Sequence, residues 1–265
     1  MNNGTRKAVA AAGWTVLAAL GCVGLPGCSD GGVQHLREEL ALALGEGTHA
    51  GETKTIALPR GAEMEMVWCP PGVFEMGSPA GEAGRGDDEK QRHVTVTNGF
   101  WMAKTEVTQA QWQSVTGKNP SKFKGNDLPV ESVSRNECLK FCRKTGLQLP
   151  TEAEWEYACR AGSGGAYAGS GRLDEMGWFE GNSGDRTHPV GQKGFNAWGL
   201  QDMHGNVFEY CADDDREHSR VFFVVTRGGC WAWKAEDCRS AARGHDAAGN
   251  KNQFTGFRPC FPGGQ

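Results

Sequence analysis

Residues 8–27 carry no charge, and three leucines follow them, Leu36, Leu40 and Leu44, spaced i, i+4 and i+8. That spacing places the leucines on one face of a short helix that stops at Gly45, a docking helix in its simplest form. Ser29-Asp30-Gly31-Gly32 before it reads as a short flexible tether. Met64, Met66 and Trp68 then alternate, which predicts a strand, and Pro70-Pro71-Gly72 turns the chain. Residues 73–76 read as a second, returning strand, residues 79–91 as a charged, glycine-containing surface loop, and Val94 with Val96 as the start of another strand.

Three helices are announced by their starts. Thr108-Gln109-Ala110-Gln111, Ser134-Arg135-Asn136-Glu137 and Thr151-Glu152-Ala153-Glu154 each fit a capping box, a hydroxyl followed three residues later by a side chain that reaches back to the cap. Gly117, Gly146 and Gly162 lie where each helix is expected to stop. Trp112 and Val115, Leu139 and Cys142, and Trp155 and Cys159 are the expected core faces. Beyond Gly162 the pattern gives loops and short strands, with no repeat and no second domain boundary.

Composition changes this picture at the N-terminus and at the cysteines. Arg6 and Lys7 precede the uncharged run, and Leu25-Pro26-Gly27-Cys28 resembles a lipobox, in which Cys28 is lipidated and becomes the mature N-terminus. Ala19-Leu20-Gly21-Cys22 is a second candidate, and a transmembrane anchor is the alternative reading of the run. The expected organisation is a signal peptide over 1–27, a tether and short helix over 28–53, and one domain over 54–265. The expected location is the cell envelope, exported and held at a membrane by the lipid. Eight cysteines remain after Cys22 and Cys28, an even number that favours disulfides in an oxidising compartment, with connectivity left open by the residues alone. No CxxC pair supports a zinc ribbon or a thioredoxin-like site. The formal charge of −4, with lysines and arginines scattered along the chain, argues against a nucleic-acid partner.

Several blocks in order over residues 64–258 resemble the formylglycine-generating, or sulfatase-modifying-factor, family. They include Met66-Val67-Trp68, Phe74-Glu75-Met76-Gly77-Ser78, Thr105-Glu106-Val107-Thr108 and Pro129-Val130-Glu131-Ser132-Val133-Ser134. The most specific are Leu149-Pro150-Thr151-Glu152-Ala153-Glu154-Trp155-Glu156-Tyr157-Ala158 and Asp202-Met203-His204-Gly205-Asn206-Val207-Phe208-Glu209. Arg227-Gly228-Gly229, Arg239-Ser240-Ala241-Ala242-Arg243 and Gly256-Phe257-Arg258 complete them. The fold this implies is α+β, distantly like C-type lectins, with little regular secondary structure.

The resemblance implies a calcium site with Asp202 and Glu209 as side-chain ligands and Gly205 and Val207 as carbonyl donors, an all-oxygen set of the kind calcium takes. The family's second calcium site needs a longer loop than residues 180–188 offer. It also implies that Cys142 and Cys159 pair with C-terminal cysteines, giving Cys142–Cys260 and Cys159–Cys238. Oxidases of the family hold Cu(I) on a C-x4-C pair shortly after Gly-Gly-Ser, because soft thiolates suit that ion. Here Gly228-Gly229 is followed by Cys230, Cys238 is the next cysteine, and the C-x4-C spacing is missing. Cys138 and Cys142 are spaced C-x3-C, one residue too close, and lie on a predicted helix elsewhere. Cys230 and Cys238 are the candidate catalytic thiols if copper binds in an altered geometry.

From the residues themselves, Glu154 reads as a cap partner and Glu156, two positions on, as structural rather than as half of a catalytic pair. Arg243 and Arg258 read as buried ion-pair or backbone-bracing groups rather than substrate clamps, and His204 as a solvent-facing turn residue. Trp231, Trp233, His245 and Phe254 are candidates for a binding surface. Three readings compete: a non-catalytic lipoprotein that binds a protein or glycan ligand, an oxidase acting on a substrate-protein cysteine, and an iron-dependent sulfoxide synthase. The last lacks room for its extra helical domain in residues 28–54.

Overall fold

The computed structural model describes residues 30–215 and 223–263. The signal segment and Cys28 lie outside the described residues. Strands in chain order are β1 (Thr53–Ala57), β2 (Glu63–Cys69), β3 (Gly72–Met76), β4 (Arg92–Val96), β5 (Phe100–Ala103), β6 (Gly177–Trp178), β7 (His204–Gly205), β8 (Phe208–Asp215), β9 (Phe223–Arg227), β10 (Arg243–Ala247), β11 (Thr255–Gly256) and β12 (Cys260–Pro262). Helices are α1 (Asp30–Leu44), α2 (Gln109–Thr116), α3 (Arg135–Thr145), α4 (Glu152–Arg160) and α5 (Leu173–Met176).

Two four-stranded sheets carry the fold, in the orders β1-β2-β5-β12 and β10-β9-β8-β11. Within these two sheets all pairings are antiparallel except the short pair β8–β11, and the separate two-stranded pair β6–β7 is also parallel. Met64, Met66 and Trp68 alternate into the core from β2, as their spacing predicts. The larger apolar cluster lies under α1, α2 and α3, with Trp112 stacked on Phe141 at 5.6 Å and Phe257 edge-on to both. A smaller cluster surrounds Trp155 and joins the two sheets.

All three capping boxes form, at Thr108, Ser134 and Thr151, with Glu154 as the cap partner of the last. Gly117 and Gly146 close α2 and α3. The third helix stops one residue early: Ala161, at φ 45°, takes the left-handed position ahead of Gly162 and sends its N–H to the Tyr157 carbonyl.

Two further expectations change. Strand β3 pairs with β4 rather than returning along β2. Pro70 and Pro71 have no N–H to continue a ladder, and the Tyr157 hydroxyl of α4 donates to the Pro70 carbonyl at 3.0 Å, drawing the turn away from β2. Helix α1 begins at Asp30 and takes in Gly31 and Gly32, so those residues are helical rather than a tether. Leu36, Leu40 and Leu44 are all buried, and the last two join the main core. Each fully buried leucine contributes roughly 2 kcal/mol. Helix α1 is therefore packed as part of the same domain.

Candidate functional site

The centre of the molecule is a set of arginine–carboxylate pairs. Glu156 leaves the inner face of α4, and its Oε1 accepts from Arg160 Nε at 2.9 Å and from the Gly77 N–H at 2.8 Å. Its Oε2 meets Arg227, whose guanidinium also donates to the carbonyls of Ala241 and Ala242 at 2.7 Å each. Arg239 grips both oxygens of Glu89 at 2.8 Å and Glu82 at 2.7 Å, tying the loop of residues 79–91 to the C-terminal segment. Burial alone would raise the Glu89 carboxyl, but hydrogen bonds from Arg239 and Ser78 bring it down to about 2. Arg243 bridges Glu152 and Asp88, and Arg258 takes both oxygens of Glu209 at 2.7 Å. The expected ion-pair roles of Arg243, Arg258 and Glu156 are what the structure has.

Next to Arg258 lies the segment predicted to hold calcium. Asp202 is buried, with φ 56°, and its Oδ2 accepts from the Gly191 N–H at 2.6 Å while Oδ1 has no hydrogen-bond partner. Gly205 sits at φ 86°, where an added Cβ would lie 2.0 Å from the Trp178 carbonyl, so only glycine lets this turn pass β6. Glu209 is committed: Arg258 holds both its oxygens and Trp155 Nε1 donates to Oε2 at 2.6 Å. Sequence reasoning missed Glu106, a buried carboxylate that accepts from the Val207 N–H at 3.0 Å and from Asn206 Nδ2 at 2.7 Å. Burial, then the charges of Asp202 and Glu209, push Glu106 well above the usual carboxylate range, and burial raises Asp202 to about 6. Three buried carboxylates thus face one guanidinium. Among the described residues no three histidine, cysteine or carboxylate side chains converge as a ligand set. The unpartnered Asp202 oxygen and the excess negative charge fit a hard cation at Asp202, and Glu209 Oε1, which takes one hydrogen bond from Arg258, keeps a lone pair.

His204 corrects the sequence reading most sharply. It is fully buried, with Nδ1 2.8 Å from the Cys238 carbonyl and Nε2 3.0 Å from the Ala168 N–H. Those partners fix one neutral tautomer, a proton on Nδ1 and a lone pair on Nε2. Burial lowers its pKa to about 4. The ring is a brace between three segments.

The eight cysteines from Cys69 to Cys260 are all buried free thiols, so neither Cys142–Cys260 nor Cys159–Cys238 is formed here. Cys142 lies close enough to Cys260 to add to the upward push on its thiol. Cys159 faces Ser240 and lies 3.8 Å from His204 Nε2. Cys238 is placed against Gly229, where an added Cβ would come within 2.4 Å of its Sγ, and the Cys230 N–H points at it. The structure therefore brings Cys238 to Cys230. Burial pushes the Cys230 thiol up to about 12 and raises Cys238 as well, the latter further by its neighbour Cys230.

Immediately outside this thiol pair the aromatic rings emerge. Phe123, Trp231, Phe254, Trp233 and Phe208 form a row with consecutive ring centroids 5.5, 5.3, 5.1 and 5.6 Å apart. Trp233 is 39% exposed and Trp231 is nearly covered, its Nε1 donating to the Gln253 carbonyl at 3.1 Å. Of the four residues predicted for a binding surface, Trp231, Trp233 and Phe254 come together, and Phe208 and Phe123 extend them. His245 does not join: on β10 it faces Asp88, 3.6 Å away.

Comparison with known proteins agrees with this architecture. The chain is 30% identical over 201 residues to the chaperone protein LppX of Paenibacillus barcinonensis, covering 53% of this chain and 71% of that one. It is 31% identical over 193 residues to the formylglycine-generating enzyme of Thermomonospora curvata, covering 60% of this chain and 63% of that enzyme, less than two thirds of its length. The structure of PvdO from Pseudomonas aeruginosa superposes with a TM-score of 0.70 at 27% identity, covering 82% of this chain and all of that one. Residues 53–260 match the sulfatase-modifying factor enzyme 1-like domain, and the chain belongs to that family.

Proposed function

We propose that this protein is an exported lipoprotein of the cell envelope, lipidated at Cys28, whose domain binds a protein or glycan ligand through the aromatic row and performs no oxidation. One observation carries the reading: the thiols of Cys230 and Cys238 are buried, while Trp233 in the neighbouring aromatic row is exposed and Phe254 half-buried. Burial raises both thiols above their usual range, so Cu(I) binding would have to displace a proton from each. The kinship with a protein named as a chaperone favours a polypeptide ligand. Intact mass of the membrane-extracted protein tests the anchor: an N-terminus at Cys28 carrying acyl chains is expected, and an unprocessed Met1 terminus rejects it.

A second reading has its own support, because Cys238 rests beside Cys230 across Gly229. In that reading the two sulfurs bind Cu(I), which would supply oxygen activation, and this chain's part is to bring two deprotonated thiols together. Anaerobic Cu(I) titration with Cys230→Ser and Cys238→Ser controls separates the two. Stoichiometric tight binding lost in both variants favours the oxidase, and weak binding indifferent to both favours the binding module.

Calcium is proposed at Asp202, with the carbonyls of Gly205 and Val207 as further donors and Glu209 acting through its pair with Arg258. A rise in Tm with added Ca2+ that disappears in Asp202→Asn supports this, and an equal rise in both variants removes it.

A further inference from the structure

The sequence scatters its cations, yet the fold gathers five of them around one open groove. It has a volume of about 720 Å³ and lies between α2 and α3. Lys140, Arg143 and Lys144 line one wall, at the i, i+3 and i+4 positions of α3 that share a face. Lys118, just past the end of α2, and Lys251 complete the cationic lining. All five are exposed. The lone carboxylate in the lining is Glu137, which already serves as the capping partner of Ser134 and takes Lys251 Nζ at 2.6 Å. Like charges held this close repel one another and raise the local concentration of an anionic partner. The floor is apolar, made by Trp112 and Phe141.

Short stretches of chain connect the groove to the aromatic row. Lys122 follows Lys118 by four residues and places its Nζ 5.5 Å from the Phe123 ring, the first ring of the row. At the other side Lys251 precedes Phe254 by three residues. The cationic groove and the row, in which Trp233 is the exposed ring, are thus linked by three or four residues of chain on each side.

We propose that the ligand is an extended polypeptide segment in which a cluster of acidic side chains lies next to an apolar or aromatic residue. Its carboxylates would occupy the groove of Lys118, Lys140, Arg143, Lys144 and Lys251, and its apolar residue would seat against Trp233 and Phe254. This rests on the reading of the protein as a binding module and names what that module selects. A polypeptide is favoured over a glycan because the groove and the row demand charge and an apolar group a few residues apart, a spacing that side chains on an extended strand provide.

The test uses the full chain in a neutral detergent and a fluorescein-labelled peptide with four glutamates followed by tryptophan and leucine. The controls are the same peptide with glutamines and a sulfated oligosaccharide. Fluorescence polarisation is expected to show binding of the acidic peptide at least about tenfold tighter than of the glutamine peptide, weakening steeply with salt. Lys140→Gln/Arg143→Gln/Lys144→Gln is expected to remove that preference while leaving Tm nearly unchanged, since all three side chains are exposed. Trp233→Ala is expected to weaken both peptides alike. Equal binding of the acidic and glutamine peptides, both lost in Trp233→Ala, overturns the acidic selection and leaves the aromatic surface standing. Binding of the oligosaccharide in preference to the acidic peptide overturns the polypeptide assignment. Failure of every probe, with the triple variant and Trp233→Ala indistinguishable from wild type, overturns the binding module itself.

Discussion

The two ends of α3 and α4 treat charge in opposite ways. Around α4 the arginines are paired with carboxylates, Arg227 on Glu156 and Arg239 on Glu89 fully buried and Arg243 on Glu152 half-buried. Along α3 the cations of the groove stand in solvent, and one of the five, Lys251, has a carboxylate partner among the described residues. The first arrangement fixes loops against one another, since a guanidinium with two or three carbonyl and carboxylate partners cannot move without stranding them. The second leaves attraction unspent and available to another molecule. Charge in this family member is scaffold in one place and, in the function proposed above, recognition in another, and burial separates the two.

The largest effect should come from breaking the scaffold. Arg227→Met leaves Glu156 buried beside Arg160 alone and opens the carbonyls of Ala241 and Ala242, a loss of about 3–5 kcal/mol in urea unfolding. Glu156→Gln/Arg227→Met should recover part of it.

Next comes acid. The Glu89 carboxyl, ordinarily near 4.5, is held near 2 by its partners in the folded chain. The unfolded chain takes up that proton first, so the stabilisation is present above 4.5 and is lost as pH falls from 4.5 toward 2. The expected decline over that window is on the order of 2–3 kcal/mol. Glu89→Gln should be weaker at neutral pH and flatter below 4.5, read from melts across pH.

Smaller still is Ser134→Ala, which removes one half of a capping box and should cost about 1 kcal/mol. Smallest is Trp233→Ala, expected to shift stability by less than about 1 kcal/mol while reducing ligand binding severalfold. A Trp233 variant that unfolds would show the ring to be core rather than contact surface.

How much of this could be read from the residues depends on the range of each interaction. The caps at Thr108, Ser134 and Thr151 involve partners three positions away, and α1 shows itself in three leucines, so both were legible. The family blocks carried the fold class. His204 was misread because its partners, Ala168 and the Cys238 carbonyl, are brought to it from 36 and 34 positions away. Glu106 was missed for the same reason, its contacts lying at Asn206 and Val207. The groove had no local signature: Lys118, the α3 cations and Lys251 come from three separate segments. Cys238 was assigned to Cys159 by analogy, but Ser240 stands against Cys159 and the left-handed Gly229 turns the chain so that Cys238 meets Cys230.

Helix α1 has one last consequence. Its leucines are clamped over the end of α3, where Leu36 and Leu40 crowd Gly146 directly after Arg143 and Lys144. Acyl chains on Cys28 would be separated from the first helical residue by Ser29 alone, a reach of about 7 Å. With so short a leash, a domain lipidated at Cys28 as proposed would not swing freely above the bilayer. It would be presented in a narrow range of orientations, with the α1–α3 corner innermost.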